Sequence, residues 1–178
     1  MTDVPITIAV VGAGLIGPRH AEAIRNCPSA HLLAFVDPDP AARTVAASFD
    51  VPFFQSISEL LASSETRPDA AIICTPNHTH VSIARDFLAA GIHVLVEKPL
   101  CTEVTEGRAL IQFAEVRDLK LLVGHHRRFN PYVVAAKRAL EAGVVGKVIA
   151  ISGLWTLKKA DAYFLSPTAW KRVLKAEA

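Results

Sequence analysis

The chain has few cysteines and no concentration of charge of one sign. Only 20% of its 178 residues are charged, and the net charge of +2 comes from interspersed acidic and basic residues. Without a basic tract, the sequence does not indicate binding to nucleic acid. The three cysteines, Cys27, Cys74 and Cys101, are widely spaced and form no C-x-x-C pair. This spacing argues against a disulfide framework and against a zinc site, and it is typical of reduced thiols.

The sequence also lacks a long hydrophobic run. No stretch approaches the roughly 20 apolar residues that cross a membrane. The N-terminus begins with Asp3 in place of the basic segment of a signal peptide. Because 51% of the residues are hydrophobic, the composition is that of a globular protein with a sizeable core. We therefore expect a soluble, cytoplasmic protein with no membrane partner.

The most informative motif in the sequence is a glycine loop near the N-terminus. Residues 5–11 form an apolar, β-branched run that predicts a buried strand, and residues 19–27 predict a helix. Between them lies a G-x-G-x-x-G sequence, which in this strand–helix context is typical of dinucleotide binding. The three glycines allow a tight turn, close approach of a pyrophosphate, and helix–strand packing, while the amides at the helix start attract phosphate. The candidate cofactor-binding residues here are Gly12, Gly14, Leu15, Ile16 and Gly17.

A carboxylate follows the second predicted strand, at residues 32–36. Asp37 lies about 20 residues beyond the last glycine, where an acidic side chain can accept hydrogen bonds from ribose hydroxyls. Asp37 and Asp39 would repel the 2′-phosphate of NADP, and the nearest cation, Arg43, lies a helical turn further on. The sequence therefore predicts NAD, preferred over NADP. Alternatively, Asp37 only caps the helix that begins near Pro40.

The fourth predicted strand, at residues 70–75, ends in Thr75-Pro76-Asn77. Open α/β sheets bind their ligands beyond the carboxyl ends of the strands, so this sequence is expected beside the nicotinamide half of the cofactor. Alternatively, it is an ordinary turn before a helix that is capped by Thr79.

The fifth predicted strand, at residues 93–96, ends in Glu97-Lys98-Pro99. A cis bond before Pro99 would aim Lys98 into the cleft. There Lys98 could hydrogen-bond a substrate hydroxyl and favour loss of its proton as hydride leaves. Alternatively, Lys98 forms a surface ion pair with Glu97.

Strands and helices alternate up to a sixth strand at residues 119–124, which predicts an α/β fold with a doubly wound parallel sheet of the Rossmann type. His125 and His126 would point to opposite faces of a strand and have no acidic or thiol partner at ligand spacing, so we predict no metal site. A helix is expected over residues 132–142. Residues 147–156 then predict a long strand of a second sheet.

Together these motifs resemble those of the Gfo/Idh/MocA oxidoreductases. The resemblance extends from Ile6 to Trp170 and rests on the glycine loop with His20, Thr75-Pro76-Asn77-x-x-His80, Glu97-Lys98-Pro99, Arg128-Phe129-x-Pro131 and Gly143-x-x-Gly146-Lys147-Val148. It implies an NAD(P)-dependent oxidoreductase that transfers hydride between the nicotinamide and a hydroxyl of a sugar, inositol or related polyol.

The resemblance also implies roles for individual residues. The glycines would hold the pyrophosphate, Asp37 would hold the adenosine ribose, and Lys98 would be the catalytic residue. The residues implied for the nicotinamide half of the cofactor are Thr75, Pro76, Asn77, His80, Glu97 and Lys98. Arg128 would close over the cofactor, and Trp170 would lie near it.

The same resemblance divides the chain into a dinucleotide-binding domain, residues 1–126, and the start of an incomplete C-terminal substrate and oligomerisation domain, residues 127–178. Family members continue further, so we expect a truncated chain. The alternative is an NAD-binding module with little or no turnover. That module would self-associate as a homodimer or higher homo-oligomer, because the strand over residues 147–156 has no charged residue in its interior and would recruit another strand.

Overall fold

The computed structural model describes residues 4–158 and 160–161. Six parallel strands form one sheet in the order β3-β2-β1-β4-β5-β6. They are β1 (Ile6–Val11), β2 (Ala30–Val36), β3 (Phe53–Phe54), β4 (Ala70–Ile73), β5 (His93–Val96) and β6 (Leu121–Val123). The chain builds outwards from β1 in both directions, so the predicted doubly wound Rossmann sheet is confirmed.

Helices connect the strands. They are α1 (Gly17–Arg25), α2 (Arg43–Ser48), α3 (Ile57–Ala62), α4 (His80–Ala89), α5 (Val104–Glu115) and α6 (Pro131–Glu141). Short 3-10 segments precede α2, α4 and α6. In the part of the chain that the structure describes, no helix combines the length and the hydrophobicity needed to cross a bilayer.

The core has two layers, one on each face of the sheet. One layer contains Leu60, Phe87 and Leu110, which are fully buried side chains of α3, α4 and α5. The other contains Phe35 of β2 with apolar side chains of α1 and α2. Burying a large apolar side chain contributes about 1.5–3 kcal/mol to the free energy of folding. The two layers therefore stabilise the sheet from both of its faces. Most of the residues predicted to bind a cofactor follow the carboxyl ends of its strands.

The described residues divide into two units after Gly124, whereas the sequence placed the boundary after residue 126. In the second unit, residues 147–156 form neither helix nor strand, so the strand predicted there was wrong. The prediction came from side-chain pattern alone. A strand also needs a neighbour for its backbone N–H and C=O groups, and no other described segment of this unit is a strand.

Candidate functional site

Most of the residues predicted to bind a cofactor follow the carboxyl ends of β1, β2, β4 and β5. Because these strands are parallel neighbours, their carboxyl ends lie along one edge of the sheet. This edge brings together the glycine loop, Asp37, residues 75–77 and residues 97–98. We call it the cofactor edge.

The glycine loop has the shape that its sequence predicts. Gly12 has φ +94°, and a Cβ there would lie 2.9 Å from the backbone carbonyl of Cys74. A Cβ on Gly17 would lie 2.0 Å from the carbonyl oxygen of Gly12, so only glycine permits this approach. A Cβ on Gly14 would meet nothing within 4 Å. The backbone at Gly14 is therefore open to a ligand.

The start of α1 suits an anion. Ile16 occupies the N-cap position without a side-chain hydrogen bond, and the first turn of α1 contains no acidic residue. Pro18 has no N–H and the Arg19 amide donates to the Ile16 carbonyl oxygen at 3.0 Å, so the donors available here are the Gly17 amide and the loop amides before it, at the positive end of the helix dipole. The loop residue Leu15 is 60% exposed. A phosphate group could therefore reach these amides from solvent.

Asp37 links the glycine loop to the turn after β2. Its Oδ2 accepts a hydrogen bond from the amide of Ala13 at 2.7 Å, and its Oδ1 accepts one from the amide of Asp39 at 2.9 Å. Asp39, not Asp37, occupies the N-cap of the following 3-10 segment, which rules out the helix-cap alternative for Asp37. A carboxylate offers about four lone-pair sites, so Asp37 retains acceptor capacity for a ligand.

Residues 75–80 form a turn that is held by side-chain hydrogen bonds. The hydroxyl of Thr79 lies 2.7 Å from both Thr75 Oγ1 and the carbonyl oxygen of Pro76, and it does not cap α4. His80 is fully buried. Its Nε2 lies 2.9 Å from the carbonyl oxygen of Thr75, and its Nδ1 lies 2.7 Å from that of Pro99. With both ring nitrogens occupied by backbone, His80 joins two loops and has no nitrogen left for a ligand.

Glu97 pairs with a histidine and not with its neighbouring lysine. Its Oε1 lies 2.8 Å from His20 Nε2, and its Oε2 accepts a hydrogen bond from the Lys98 amide at 3.2 Å. Among the described residues, the Lys98 ammonium forms no salt bridge, so the predicted alternative of a Glu97–Lys98 ion pair is not formed. Lys98 is exposed, and the Lys98–Pro99 peptide bond is cis.

The electrostatics at this edge follow from these contacts. The hydrogen bond from His20 is the main reason why the pKa of Glu97 is held below its usual value. Burial raises the pKa of the Cys74 thiol to about 12, and the negative charge of Glu97 adds to this shift. The edge therefore carries an ionised carboxylate and a protonated thiol near neutral pH.

Sequence reasoning missed two contributors to the site, and both act on Glu97. His20 was noted only as part of a family resemblance, yet it reaches across to the end of β5. A Cβ on Gly124 would lie 3.1 Å from the Glu97 carboxyl group. The sequence contained one signal that His20 faces the sheet. His20 lies one turn into α1, on the side that also buries Gly17 and Ala21.

Two predicted cofactor-binding residues are not among the described residues of the first unit. Arg128 lies in the 3-10 segment of the second unit, where it is exposed. Trp170 lies outside the described residues. Within the ranges 4–158 and 160–161, no three His, Cys, Asp or Glu side chains are grouped as metal ligands would be.

One cavity of about 460 Å³ lies elsewhere in the first unit. It is lined at the amino end of β2 by residues including His31, Asp50 and Thr66. The glycine loop follows the carboxyl end of β1, at the opposite edge of the sheet, so this cavity is not part of the cofactor edge.

Comparison with known proteins gives consistent matches. A family model described as an oxidoreductase family with an NAD-binding Rossmann fold matches residues 6–125. The inositol 2-dehydrogenase of Rhizobium meliloti (strain 1021) is 33% identical over 143 residues, which are 80% of this chain and 43% of the relative.

Two solved structures are similar. The WlbA dehydrogenase from Bordetella pertussis, in complex with NADH and UDP-GlcNAcA, has a TM-score of 0.78 and 30% identity, with 83% of this chain and 42% of that chain covered. The scyllo-inositol dehydrogenase from Lactobacillus casei, with bound NAD(H) and scyllo-inositol, has a TM-score of 0.74 and 28% identity, with 80% and 42% covered. The chain spans less than half the length of the relatives it matches.

Proposed function

Because the chain belongs to the Gfo/Idh/MocA family of oxidoreductases, we propose that it binds NAD at the cofactor edge and takes part in hydride transfer. The substrate class is a sugar, inositol or related polyol with a secondary hydroxyl. The observation that carries the proposal is the convergence of the glycine loop, Asp37 and an unpaired Lys98 at one edge of the sheet. The similarity to an inositol and a UDP-sugar dehydrogenase supports the substrate class.

The residues present fit a dinucleotide. The uncapped start of α1 and the open backbone at Gly14 would hold the pyrophosphate. Asp37 would accept hydrogen bonds from the adenosine ribose, and residues 75–77 would border the nicotinamide. Asp37 would also repel a 2′-phosphate, so we propose that NAD is preferred over NADP. Bound NAD would supply the hydride acceptor.

Lys98 would act on the substrate. Its ammonium is exposed and has no partner among the described residues, so it can donate a hydrogen bond to a hydroxyl oxygen. Its positive charge would stabilise the negative charge that develops on that oxygen as the hydroxyl proton passes to solvent water and the carbon-bound hydride would pass to the bound nicotinamide. Electrostatic stabilisation of this kind is a major contribution to catalysis.

We also propose that the chain self-associates as a homodimer or higher homo-oligomer. The supporting observation is the exposure of large apolar side chains in residues 147–156, with Ile149 93% and Ile151 84% exposed. Leu154 and Trp155 are exposed as well. A cluster of exposed apolar residues is typical of an interaction surface.

The experiment has two stages. NAD and NADP are first titrated calorimetrically against the unmodified protein, and saturable NAD binding is expected. NADH formation is then followed with NAD and a panel of inositols, free sugars and UDP-sugars. Lys98→Ala should abolish NADH formation and leave NAD binding measurable but about tenfold weaker, because Lys98 is also proposed to contact the nicotinamide half. Lys120→Ala, a change at an exposed lysine elsewhere, should alter neither.

Each outcome has a distinct meaning. Absence of NAD binding would contradict the proposal. Binding of NAD without NADH formation from any substrate would favour the alternative, an NAD-binding module with little or no turnover. NADH formation that Lys98→Ala leaves intact would contradict the role assigned to Lys98.

A further inference from the structure

The Glu97–Pro99 loop is held at both of its ends. At one end, the Glu97 carboxylate meets His20 from α1, and at the other, the Pro99 carbonyl oxygen meets His80 from α4. Lys98 lies between them, and its ammonium forms no salt bridge within residues 4–158 and 160–161. Neither histidine is adjacent to this loop in sequence, so the arrangement depends on the packing of both helices against the sheet.

The Glu97 carboxylate is confined on several sides. The side chains of His20 and Glu97 are only 23% and 17% exposed, and the 2.8 Å distance between them is typical of a charge-assisted hydrogen bond. The second carboxylate oxygen is bonded to the Lys98 amide. Gly124 closes the remaining side, because even a Cβ there would press on the carboxyl group.

This confinement has a consequence for Lys98. A glutamate beside a lysine is the most accessible partner for that lysine, and the pair would form if the carboxylate were able to turn outwards. The hydrogen bond from His20 keeps the carboxylate turned inwards. It also favours the ionised form of Glu97, whose pKa is lowered chiefly by this bond.

We propose that His20 is a positioning residue for Lys98: it sequesters the Glu97 carboxylate and so leaves the Lys98 ammonium available to the substrate and to the nicotinamide half of NAD. The proposal deepens the proposed function and rests on it for the identity of the ligand. Because α1 also begins at the glycine loop, one helix then serves both halves of the cofactor. Its N-terminal end, with the Gly17 amide, meets the pyrophosphate, and its fourth residue, His20, orders the loop of the catalytic lysine.

The first test needs no cofactor. Acetylation of individual lysines by acetic anhydride is followed by mass spectrometry, with Lys120 as the internal reference. In His20→Leu the freed carboxylate should pair with Lys98, so the reactivity of Lys98 relative to Lys120 should fall by at least about threefold. His20→Gln retains an N–H donor and should restore most of the reactivity.

A double variant identifies the route of the effect. In His20→Leu/Glu97→Gln no carboxylate remains to pair with Lys98, so its reactivity should return to that of the unmodified protein. A purely structural role of His20 would not give this recovery. His31→Leu, a change at an exposed histidine of β2, serves as the control and should leave Lys98 reactivity unchanged.

The second test compares NAD with ADP, which lacks the nicotinamide half. His20→Leu should weaken NAD binding about tenfold and leave ADP binding unchanged, since ADP would contact only the glycine loop and Asp37. Unchanged Lys98 reactivity in His20→Leu, failure of the double variant to recover, or equal loss of NAD and ADP binding would each overturn the inference. If the unmodified protein binds no NAD but the acetylation results hold, the proposed function fails and the positioning role of His20 stands.

Discussion

The selectivity of the cofactor edge can be tested at Asp37. This carboxylate accepts hydrogen bonds from the Ala13 and Asp39 amides, and it is the proposed acceptor for the adenosine ribose. Asp37→Asn keeps one carbonyl oxygen for the Ala13 amide and loses the negative charge, and its NH2 group replaces the oxygen that accepts from the Asp39 amide. Asp37→Ala removes both the charge and the acceptor.

The expected change in the NAD dissociation constant of Asp37→Asn follows from hydrogen-bond energies. A hydrogen bond to a charged acceptor contributes about 1.5–3 kcal/mol, and one to a neutral acceptor about 0.5–1.5 kcal/mol. Asp37→Asn therefore loses about 1 kcal/mol at each of two ribose hydroxyls, or about 2 kcal/mol, which is about 30-fold in the dissociation constant. Screening by solvent at this half-exposed site reduces the effect to about tenfold. NADP should bind Asp37→Asn at least as well as it binds the unmodified protein, because the repulsion of its 2′-phosphate is removed.

Calorimetric titration of NAD and NADP against each variant measures this change. Asp37→Ala should lose more NAD affinity than Asp37→Asn, because the Ala13 amide then also lacks its acceptor and the glycine loop is less well held. Asp118→Asn, a charge-neutralising change at an exposed residue in the turn after α5, is the matched control and should leave both affinities unchanged. Equal affinities of the unmodified protein for NAD and NADP would refute the reasoning, as would an unchanged ratio in Asp37→Asn.

Further predictions concern the glycine loop, the loss of folding stability at acid pH, and self-association. Gly17→Ala should lower the thermal unfolding midpoint, since its Cβ would lie 2.0 Å from a backbone oxygen, whereas Gly14→Ala should keep the midpoint and weaken NAD binding; equal midpoints for both variants would contradict the packing argument. The pKa of Glu97 lies below its ordinary value of 4.5, so Glu97 contributes stability above that pH that is lost as the pH falls through the lowered pKa. Urea unfolding from neutral to acid pH should therefore show a shallower loss of stability in Glu97→Gln, and an unchanged slope would count against the contact with His20. Ile149→Lys or Ile151→Lys should shift sedimentation towards monomer with NAD binding intact, and an unmodified chain that sediments as a monomer at high concentration would exclude self-association through this segment.

The sequence by itself determined the parts of the site that lie within one strand–loop–helix unit. The glycine loop could be read from residues 12–17 because its turn, its close contacts and its position before a helix depend on neighbours in sequence. The position of Asp37 at the end of β2 followed from the alternation of buried strands and helices. The same alternation predicted a parallel, doubly wound sheet, whereas the order of its six strands is known only from the structure.

Only the tertiary structure decided which side chains meet across the sheet edge. His20 and Glu97 are 77 residues apart, and their contact depends on the packing of α1 beside the end of β5. The same is true of His80, whose ring nitrogens are taken up by backbone oxygens of two loops, so that a residue predicted to contact the cofactor is instead fully buried. Residues 147–156 show the converse, because an alternating apolar pattern specifies which side chains share a face and does not supply a neighbouring strand. The local sequence pattern favours a backbone conformation. The pairing of strands and the burial of side chains depend instead on groups that are distant in sequence and are brought together only by the folded core.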